Sequence, residues 1–342
     1  MRNFITIGCI IILATVFGCS KPDHRLDEVI YVRHKGADMP AYLHGNPEAK
    51  VFVVVLHGAG SFGLAFRDGA FTEVLEDNYV VVYWDQRGQG MSQGRYEQPD
   101  DLVGLMADDV IALAGVLRAK YGKEIQLFLM GHSWGGALGT TVLLKEGQQN
   151  LFSGWISVSG VHDFPLSAES RRRQLLSIAD EQIAMGNTVE KWQELHDGVS
   201  ALDSLSANDY QPTLRYAMQT MKLLYESGVI EHSLASEKLY RAIIDNNPVT
   251  WMVSNFFNQP VNVALADDYS LSDLLPGITL PALLIYSKYD VSVPPVVGRD
   301  AYERLGSAEK ELLLFEHSIH HPHDTEPDRF AEEVVRFVEK FR

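Results

Sequence analysis

Short apolar segments recur along the chain, and each is followed by a glycine or a polar residue. Runs of about four to eight residues that are apolar on both faces are typical of parallel strands buried within a sheet. The predicted strands are Val51–Leu56, Tyr79–Trp84, Ile125–Met130, Trp155–Val158, Ala282–Tyr286 and Glu311–Phe315. Two weaker segments, Val29–Arg33 and Met39–Leu43, predict an antiparallel hairpin at the edge of the sheet.

Segments with helical spacing alternate with these strands. Apolar residues form one stripe along Asp101–Tyr121, which stops at Gly122, and they recur at helical spacing over Arg329–Phe341. A third segment, Trp134–Lys145, is short and rich in small residues. The alternation of strands and helices predicts an α/β fold with a doubly wound, mostly parallel sheet.

The alternation stops between about residues 161 and 273. This block has no clear strand and contains ten aromatic residues. Its 16 acidic and 8 basic residues give it a net charge of −8, which is half of the chain's net charge of −16. Its pattern predicts helices joined by loops, and we interpret it as an inserted helical cap. We therefore expect a core of residues 29–160 and 274–342, with the cap over residues 161–273.

The N-terminal segment has the pattern of a secretion signal. A basic residue precedes the apolar run Phe4–Phe17, which is short for a membrane span and about as long as a signal-peptide core. The run ends in Gly18-Cys19, which resembles a bacterial lipobox. The resemblance implies a signal peptide over residues 1–18, lipidation of Cys19, a polar tether over residues 19–28, and membrane anchoring in the bacterial cell envelope. A plain signal peptide or an uncleaved anchor is the alternative.

The composition argues against several classes of function. With 29 Lys and Arg against 45 Asp and Glu, the surface repels phosphate backbones, so we expect no nucleic-acid partner. The strongly basic run Arg171-Arg172-Arg173 predicts a solvated helix face. Both cysteines, Cys9 and Cys19, lie in the N-terminal segment, which excludes a disulfide scaffold, a cysteine zinc site and a cysteine nucleophile.

The strongest chemical signal is the segment Gly131-His132-Ser133-Trp134-Gly135. It follows a predicted strand and precedes a helix rich in small residues, which is the setting of a nucleophile elbow. In such an elbow a strained turn exposes the serine hydroxyl, and the flanking glycines are needed because a side chain would collide with the turn. We therefore expect Ser133 to be a catalytic nucleophile, and a glycine-rich packing turn is the alternative.

A serine nucleophile needs a general base, and the base needs an acid that orients it. The acid is expected after a late strand, which favours Asp290, while Asp163 is a rival that we expect instead at the hinge of the cap. The base belongs beyond the last strand, in a segment with several histidines. These are His317, His320, His321 and His323. A metal cluster is another interpretation of this segment, but no second group of ligands accompanies it, so we expect no metal.

These segments occur in the order of the α/β-hydrolase superfamily, which the chain resembles from about residue 29 to residue 342 except in the cap. The matching segments are His57-Gly58-Ala59-Gly60, Trp84-Asp85-Gln86-Arg87-Gly88-Gln89-Gly90-Met91-Ser92, the serine elbow, Tyr289-Asp290 and the histidine segment. The resemblance implies the α/β-hydrolase fold. It also helps to choose the base, because the catalytic histidine of such proteins is typically followed by proline and phenylalanine at characteristic distances. Counting back from Pro327 and Phe330 indicates His320, with His321 and His317 as the alternatives.

The resemblance further implies an oxyanion hole. The turn His57-Gly58-Ala59 follows a predicted strand, and in this superfamily such a turn supplies one backbone N–H group. The residue after the nucleophile supplies the other. The implied donors are therefore Ala59 and Trp134, with Gly58 as the alternative to Ala59.

The stretch Trp84–Ser92 resembles the W-D-Q-R-G-x-G-x-S segment of the proline iminopeptidase branch. We expect Asp85 and Arg87 to brace this loop rather than to touch substrate. The branch usually has His-Gly-Gly-Pro-Gly where this chain has His57–Gly60, and it usually has glycine where this chain has His132. Both differences also occur in esterase-like members of the superfamily.

These residues predict a serine hydrolase that cleaves an ester or amide bond of a small molecule or short peptide through an acyl-enzyme, without metal or organic cofactor. One hypothesis is an aminopeptidase similar to proline iminopeptidases, in which a cap carboxylate holds the substrate ammonium group. The alternative is a carboxylesterase for small hydrophobic esters, which an aromatic cap would suit. A remote alternative is a non-catalytic surface binding lipoprotein. The sequence leaves the oligomeric state open.

Overall fold

The computed structural model of the protein describes residues 25–67, 69–94, 100–202, 210–231 and 269–342. The predicted signal peptide, its Cys19 and part of the predicted cap lie outside the described residues. Among the helices of the described ranges, none combines the length and the apolar character that crossing a bilayer requires.

The described strands and helices follow the sequence pattern closely. The strands are β1 (Leu26–His34), β2 (Ala37–Gly45), β3 (Val51–Leu56), β4 (Val80–Trp84), β5 (Gln93–Gly94), β6 (Gln126–His132), β7 (Gly154–Val158), β8 (Ala282–Ser287) and β9 (Lys310–Phe315). The helices are α1 (Ala70–Asn78), α2 (Leu102–Tyr121), α3 (Trp134–Leu144), α4 (Phe164–Ala184), α5 (Val189–Ser200), α6 (Tyr210–Glu226), α7 (Pro295–Arg304), α8 (Pro322–Thr325) and α9 (Pro327–Phe341). The predicted strands and helices are confirmed, with bounds that shift by a few residues at most.

The strands form one sheet in the order β1-β2-β4-β3-β6-β7-β8-β9, and β5 pairs with β2. The predicted hairpin of β1 and β2 is antiparallel, and so is the pair of β2 and β4. The strands from β4 to β9 along this order are parallel, which confirms the predicted mostly parallel sheet. Because β1 begins at Leu26, paired with Gly45, the sheet starts before residue 29, where the sequence pattern places the start of the core.

Helices cover both faces of the sheet, so the sheet separates two cores. Strand β3 contributes side chains to both of them. Phe52 and Val54 belong to the core that includes α2, α3 and α7, whereas Val53 and Val55 belong to the core that includes α1 and α9. Successive side chains of a strand point to opposite faces, so a strand covered on both faces needs apolar residues at every position. This burial explains why the central strands stand out as continuous apolar runs.

The chain leaves the sheet after β7 and returns to it at β8, and helices α4, α5 and α6 lie within this insertion. The three helices share a core of their own, which includes Leu175, Trp192 and Leu224. Tyr289 and Val291, from the loop after β8, belong to the same core. The helical insertion therefore packs directly on the loop that carries Asp290.

The two ends of the insertion lie side by side. The Phe164 N–H group donates to the Tyr269 carbonyl at 3.1 Å, and Asp163 forms an isolated bridge with Ser270. Asp163 also caps α4, because its side chain accepts a hydrogen bond of 2.7 Å from the Leu166 N–H group. Asp163 thus lies where the insertion joins the core, which is the position that its structural interpretation predicts.

Candidate active site

Ser133 lies at the sharp turn between β6 and α3. Its φ is 54° and its ψ is −117°, a conformation that is strained for any residue with a side chain. The neighbouring residues Gly131 and Gly135 must be glycines, because backbone atoms of other residues lie where their side chains would be. A Cβ on Gly131 would lie 2.2 Å from the Gly135 oxygen, and one on Gly135 would lie 2.0 Å from the Leu56 oxygen. The turn therefore has the geometry of an elbow, and Ser133 at its tip is partly exposed.

Asp290 and His320 are joined by a hydrogen bond of 2.8 Å between Oδ2 and Nδ1. Asp290 is fully buried after β8, and its second oxygen accepts a bond of 2.9 Å from the Val293 N–H group. A carboxylate on Nδ1 favours the tautomer that carries its proton there, which leaves Nε2 as an acceptor. Of the histidines in the segment, His320 is thus the one hydrogen-bonded to Asp290, whereas His317 is exposed.

His132 connects the elbow with the histidine segment. Its Nε2 lies 2.9 Å from the His320 carbonyl oxygen, and the centroids of the two rings are 4.8 Å apart. Because His132 directly precedes Ser133, this contact holds His320 next to the elbow. Within the described ranges, no hydrogen bond joins the Ser133 hydroxyl to His320. Bonds of this kind often close only when substrate is bound.

The turn that begins at His57 lies against the elbow. A Cβ on Gly58 would lie 3.4 Å from the Cβ of Ser133. In the part of the chain that the structure describes, the backbone N–H groups of Ala59 and Trp134 have no acceptor. Neither of the two N–H groups that the sequence resemblance implies as donors is therefore engaged by the described part of the protein.

Gln86 has a role that the sequence does not indicate. Its side-chain oxygen accepts a bond of 3.0 Å from Trp134 Nε1, and its side-chain nitrogen donates to the His57 carbonyl at 2.8 Å. All three residues are buried. Gln86 thereby ties the turn at His57 to the elbow, and it fixes the spacing between the two available N–H groups.

Asp85 and Arg87 brace the loop after β4, as the sequence predicts. Asp85 accepts hydrogen bonds of 2.7 Å from the N–H groups of Gly63 and Met91, and burial raises the pKa of Asp85 to about 6. Arg87 forms two bonds of 2.7 Å with Asp109, and both side chains are fully buried. Asp109 is missed by the sequence analysis, although its position on the buried stripe of α2 signals a buried charge that needs a partner.

The basic run Arg171-Arg172-Arg173 is not the uniformly solvated face that its charge predicts. Arg173 is exposed, but Arg172 donates to two carbonyls at the C-terminus of α5. Arg171 donates to the Ser292 carbonyl at 3.2 Å, in the loop after β8. The interpretation is wrong for two of the three arginines because α4 is covered by α5 on one side and by the core on another.

Four imidazole rings pack together around the histidine segment. The centroid of the His132 ring lies 4.8 Å from those of His320 and His321 and 5.3 Å from that of His323. Ligand atoms of His321, His323 and Asp324 lie within 4.8 Å of one another, so within the described residues this group could hold a metal ion. His320 is instead engaged by its carboxylate partner, and no step of the reaction proposed below uses a metal.

We expect the protein to lose stability in mild acid, because burial favours the neutral form of four histidines in the folded state, His44 among them. Burial lowers the pKa of His57 to about 4 and that of His321 to about 3, and it lowers the pKa of His132 well below its usual value. Below about pH 6.5 the unfolded chain binds protons at these positions, whereas the folded protein does not. Asp85 has the opposite effect on stability. Its pKa is raised in the folded state, so as the pH falls the folded protein binds this proton before the unfolded chain does.

Near pH 5 unfolding is therefore coupled to a net uptake of protons, and each proton taken up corresponds to a loss of about 1.4 kcal/mol of stability per pH unit. Urea unfolding followed by tryptophan fluorescence, between about pH 7 and pH 4.5, measures this slope. The variant His132→Asn lacks one of the titrating groups and should have a slope smaller by about one proton. An unchanged slope in this variant would contradict the assignment of His132 as neutral.

The sheet order and the elbow after β6 are those of an α/β hydrolase, and a solved structure described as an alpha/beta hydrolase enzyme shares the fold. The sequence pattern of the family described as "Serine aminopeptidase, S33" matches residues 47–328. The chain therefore belongs to this family of α/β hydrolases, and it is a hydrolase.

The proteins that the chain resembles include both peptidases and esterases by name. It is 25% identical over 307 residues to the probable aminopeptidase YbaC of Bacillus subtilis (strain 168), with 86% of this chain and 87% of that protein covered. It is 36% identical over 293 residues to a pimeloyl-[acyl-carrier protein] methyl ester esterase of Vibrio atlanticus (strain LGP32), covering 84% and 94%. The structure of a proline iminopeptidase from Mycobacterium smegmatis matches with a TM-score of 0.60 at 18% identity, covering 92% of this chain and 98% of that one.

Proposed function

We propose that the protein hydrolyses an ester or amide bond through an acyl-enzyme formed on Ser133. The observation that carries this proposal is the 2.8 Å bond between Asp290 and His320, held next to the serine elbow by His132. A buried carboxylate that fixes an imidazole beside an exposed serine hydroxyl is the arrangement that activates a serine. Family membership supports the same reaction class.

In the proposed reaction, Ser133 Oγ attacks the substrate carbonyl carbon while His320 Nε2 takes the hydroxyl proton. Asp290 stabilises the imidazolium through Nδ1, and the N–H groups of Ala59 and Trp134 donate to the oxyanion that forms. The intermediate collapses, and the leaving group departs with the proton from His320. Water, deprotonated by His320, then attacks the acyl-enzyme, and Ser133 regains its proton as the acid product leaves.

Two substrate classes follow from different observations. Membership in a serine aminopeptidase family, with an aminopeptidase among the relatives, favours cleavage of an amide bond next to an N-terminal residue. The 36% identity to a methyl ester esterase favours cleavage of a carboxylic ester. The same acyl-enzyme serves both, because the two reactions differ in the leaving group and in how the cap receives the substrate.

A fluorophosphonate probe tests the reaction class directly. We expect the probe to label Ser133, identified by peptide mapping, and to spare Ser292, an exposed serine near the proposed site. Hydrolysis of proline 4-nitroanilide and of 4-nitrophenyl butyrate, measured in parallel, then assigns the substrate class. Folded protein that leaves Ser133 unlabelled and hydrolyses neither compound would favour the non-catalytic binding alternative.

A further inference from the structure

Helix α4 lies along the loop that carries Asp290. Arg171 Nε donates to the Ser292 carbonyl at 3.2 Å, and Gln174, one turn later, donates through Nε2 to the Lys288 carbonyl at 2.7 Å. Asp290 lies midway between Ser292 and Lys288 in the chain, so the two contacts straddle it. The helix therefore holds Arg171 close to the acid of the proposed active site.

Of the three guanidinium nitrogens of Arg171, only Nε forms a hydrogen bond with the described part of the protein. Among the residues that the structure describes, neither terminal nitrogen of its guanidinium has a hydrogen-bond or ion-pair partner. The side chain is half-buried. Lys288, in the same interface, is by contrast paired with Glu181 at 2.8 Å. Arg171 therefore keeps two unpartnered donor groups at the contact between α4 and the loop after β8.

A half-buried guanidinium without an anion is unfavourable, because it has lost part of its water shell and only Nε has gained a partner. Burial lowers the pKa of Arg171, and the charge of Asp290 opposes this effect. Asp290 is not a full partner, because its two oxygens are engaged by His320 Nδ1 and by the Val293 N–H group. The planar end of an arginine matches a carboxylate, which accepts two parallel hydrogen bonds from it.

We propose that Arg171 binds a carboxylate of the substrate, so that the protein selects esters or amides whose acyl part or leaving part carries a carboxylate. This inference rests on the proposed function, because it assigns the substrate class of the same site. Arg171 acts here as a specificity-determining residue: it takes no part in the proton transfers and holds the anionic end of the substrate while Ser133 attacks the carbonyl carbon.

Two matched substrate pairs test the proposal and locate the carboxylate. Mono-4-nitrophenyl glutarate and its methyl-capped diester differ in charge on the acyl part, whereas alanylglycine and alanylglycinamide differ in charge on the leaving part. In one of the two pairs we expect the charged member to have the higher kcat/KM. Arg171→Met should reduce kcat/KM for that substrate by about 10- to 100-fold, as expected for a lost charge-assisted contact, and change that of the neutral partner less than about threefold.

Two further variants separate charge recognition from a structural role. Arg173→Met removes an exposed charge from the same helix and should leave the preference of the unchanged protein intact. Arg171→Lys keeps the charge but loses the planar two-point contact, so part of the preference should return. Equal losses on the charged and neutral substrates with Arg171→Met would overturn the proposal, as would an unchanged protein that favours neither charged substrate.

Calorimetry on Ser133→Ala separates failure of this inference from failure of the proposed function, because it needs no turnover. Glutarate and glutaramide are titrated into this variant with and without Arg171→Met. Binding of glutarate at least tenfold tighter than that of glutaramide, abolished by Arg171→Met, supports the carboxylate site even if no substrate is hydrolysed. Equal affinity for the two ligands, in protein that the fluorophosphonate probe labels before the serine is replaced, overturns the inference and leaves the hydrolase assignment in place.

Discussion

Replacing Ser133 by alanine is expected to lower kcat by about 10⁶-fold, and replacing His320 by alanine should lower it by nearly as much. Without Oγ no atom can be acylated, and without the imidazole the hydroxyl keeps its proton. The double variant should be no slower than either single variant, because both changes remove the same step. The residual rate then reflects attack by water, aided by the N–H donors of Ala59 and Trp134.

Steady-state kinetics measure this effect. The rates of both single variants and of the double variant are compared with whichever of proline 4-nitroanilide and 4-nitrophenyl butyrate the unchanged protein hydrolyses faster. His317→Ala is the matched control, because His317 is an exposed member of the same histidine segment. Circular dichroism shows whether each variant is folded. Losses that add in the double variant, or a His317 variant as slow as the His320 variant, would show that Ser133 and His320 do not act as a unit.

Replacing Arg87 by methionine is expected to reduce the free energy of unfolding by about 3–5 kcal/mol. The guanidinium of Arg87 forms two bonds of 2.7 Å with Asp109, and neither side chain has exposed surface. Methionine fills much of the same volume but leaves the Asp109 carboxylate buried, with His34 Nδ1 at 2.6 Å as its remaining described side-chain hydrogen-bond partner. The lost stability is the cost of a buried charge without full compensation.

The chain offers a matched control for this change. Arg33 also binds an aspartate, Asp38, through two nitrogens, but this pair lies on the surface. Arg33→Met should leave the urea midpoint close to that of the unchanged protein, because water screens an exposed pair. Combining Arg87→Met with Asp109→Leu should recover much of the lost stability, since both charges are then absent. Similar shifts for both arginine variants would contradict a special role for the buried pair.

The parts of the fold that the sequence predicts are those that local pattern determines. The run Val51–Leu56 stands out because helices cover both faces of β3, which requires an apolar side chain at each position. The elbow at Ser133 is local as well, because Gly131 and Gly135 are required by contacts within the turn and with the strand beside it. The succession of such runs was sufficient to predict the sheet and its mostly parallel character.

Residues whose roles depend on distant partners could not be predicted in this way. Gln86 bonds to Trp134 across 48 positions, and Arg171 bonds to Ser292 across 121. Local spacing does not specify such partners, because they depend on the order of strands in the sheet and on where the insertion packs. The choice of His320 had a similar limit: several histidines in one segment are locally equivalent, and the family resemblance was needed to choose among them.

The insertion enters and leaves the core at one point, where Asp163 bridges to Ser270. Strands β7 and β8 therefore stay neighbours whatever the length of chain between them, and the residues proposed to break the bond all belong to the core. Arg171, proposed to select the substrate, belongs to the insertion. On these two proposals, chemistry and substrate preference are encoded in separate stretches of the gene, so natural selection can change one while it preserves the other.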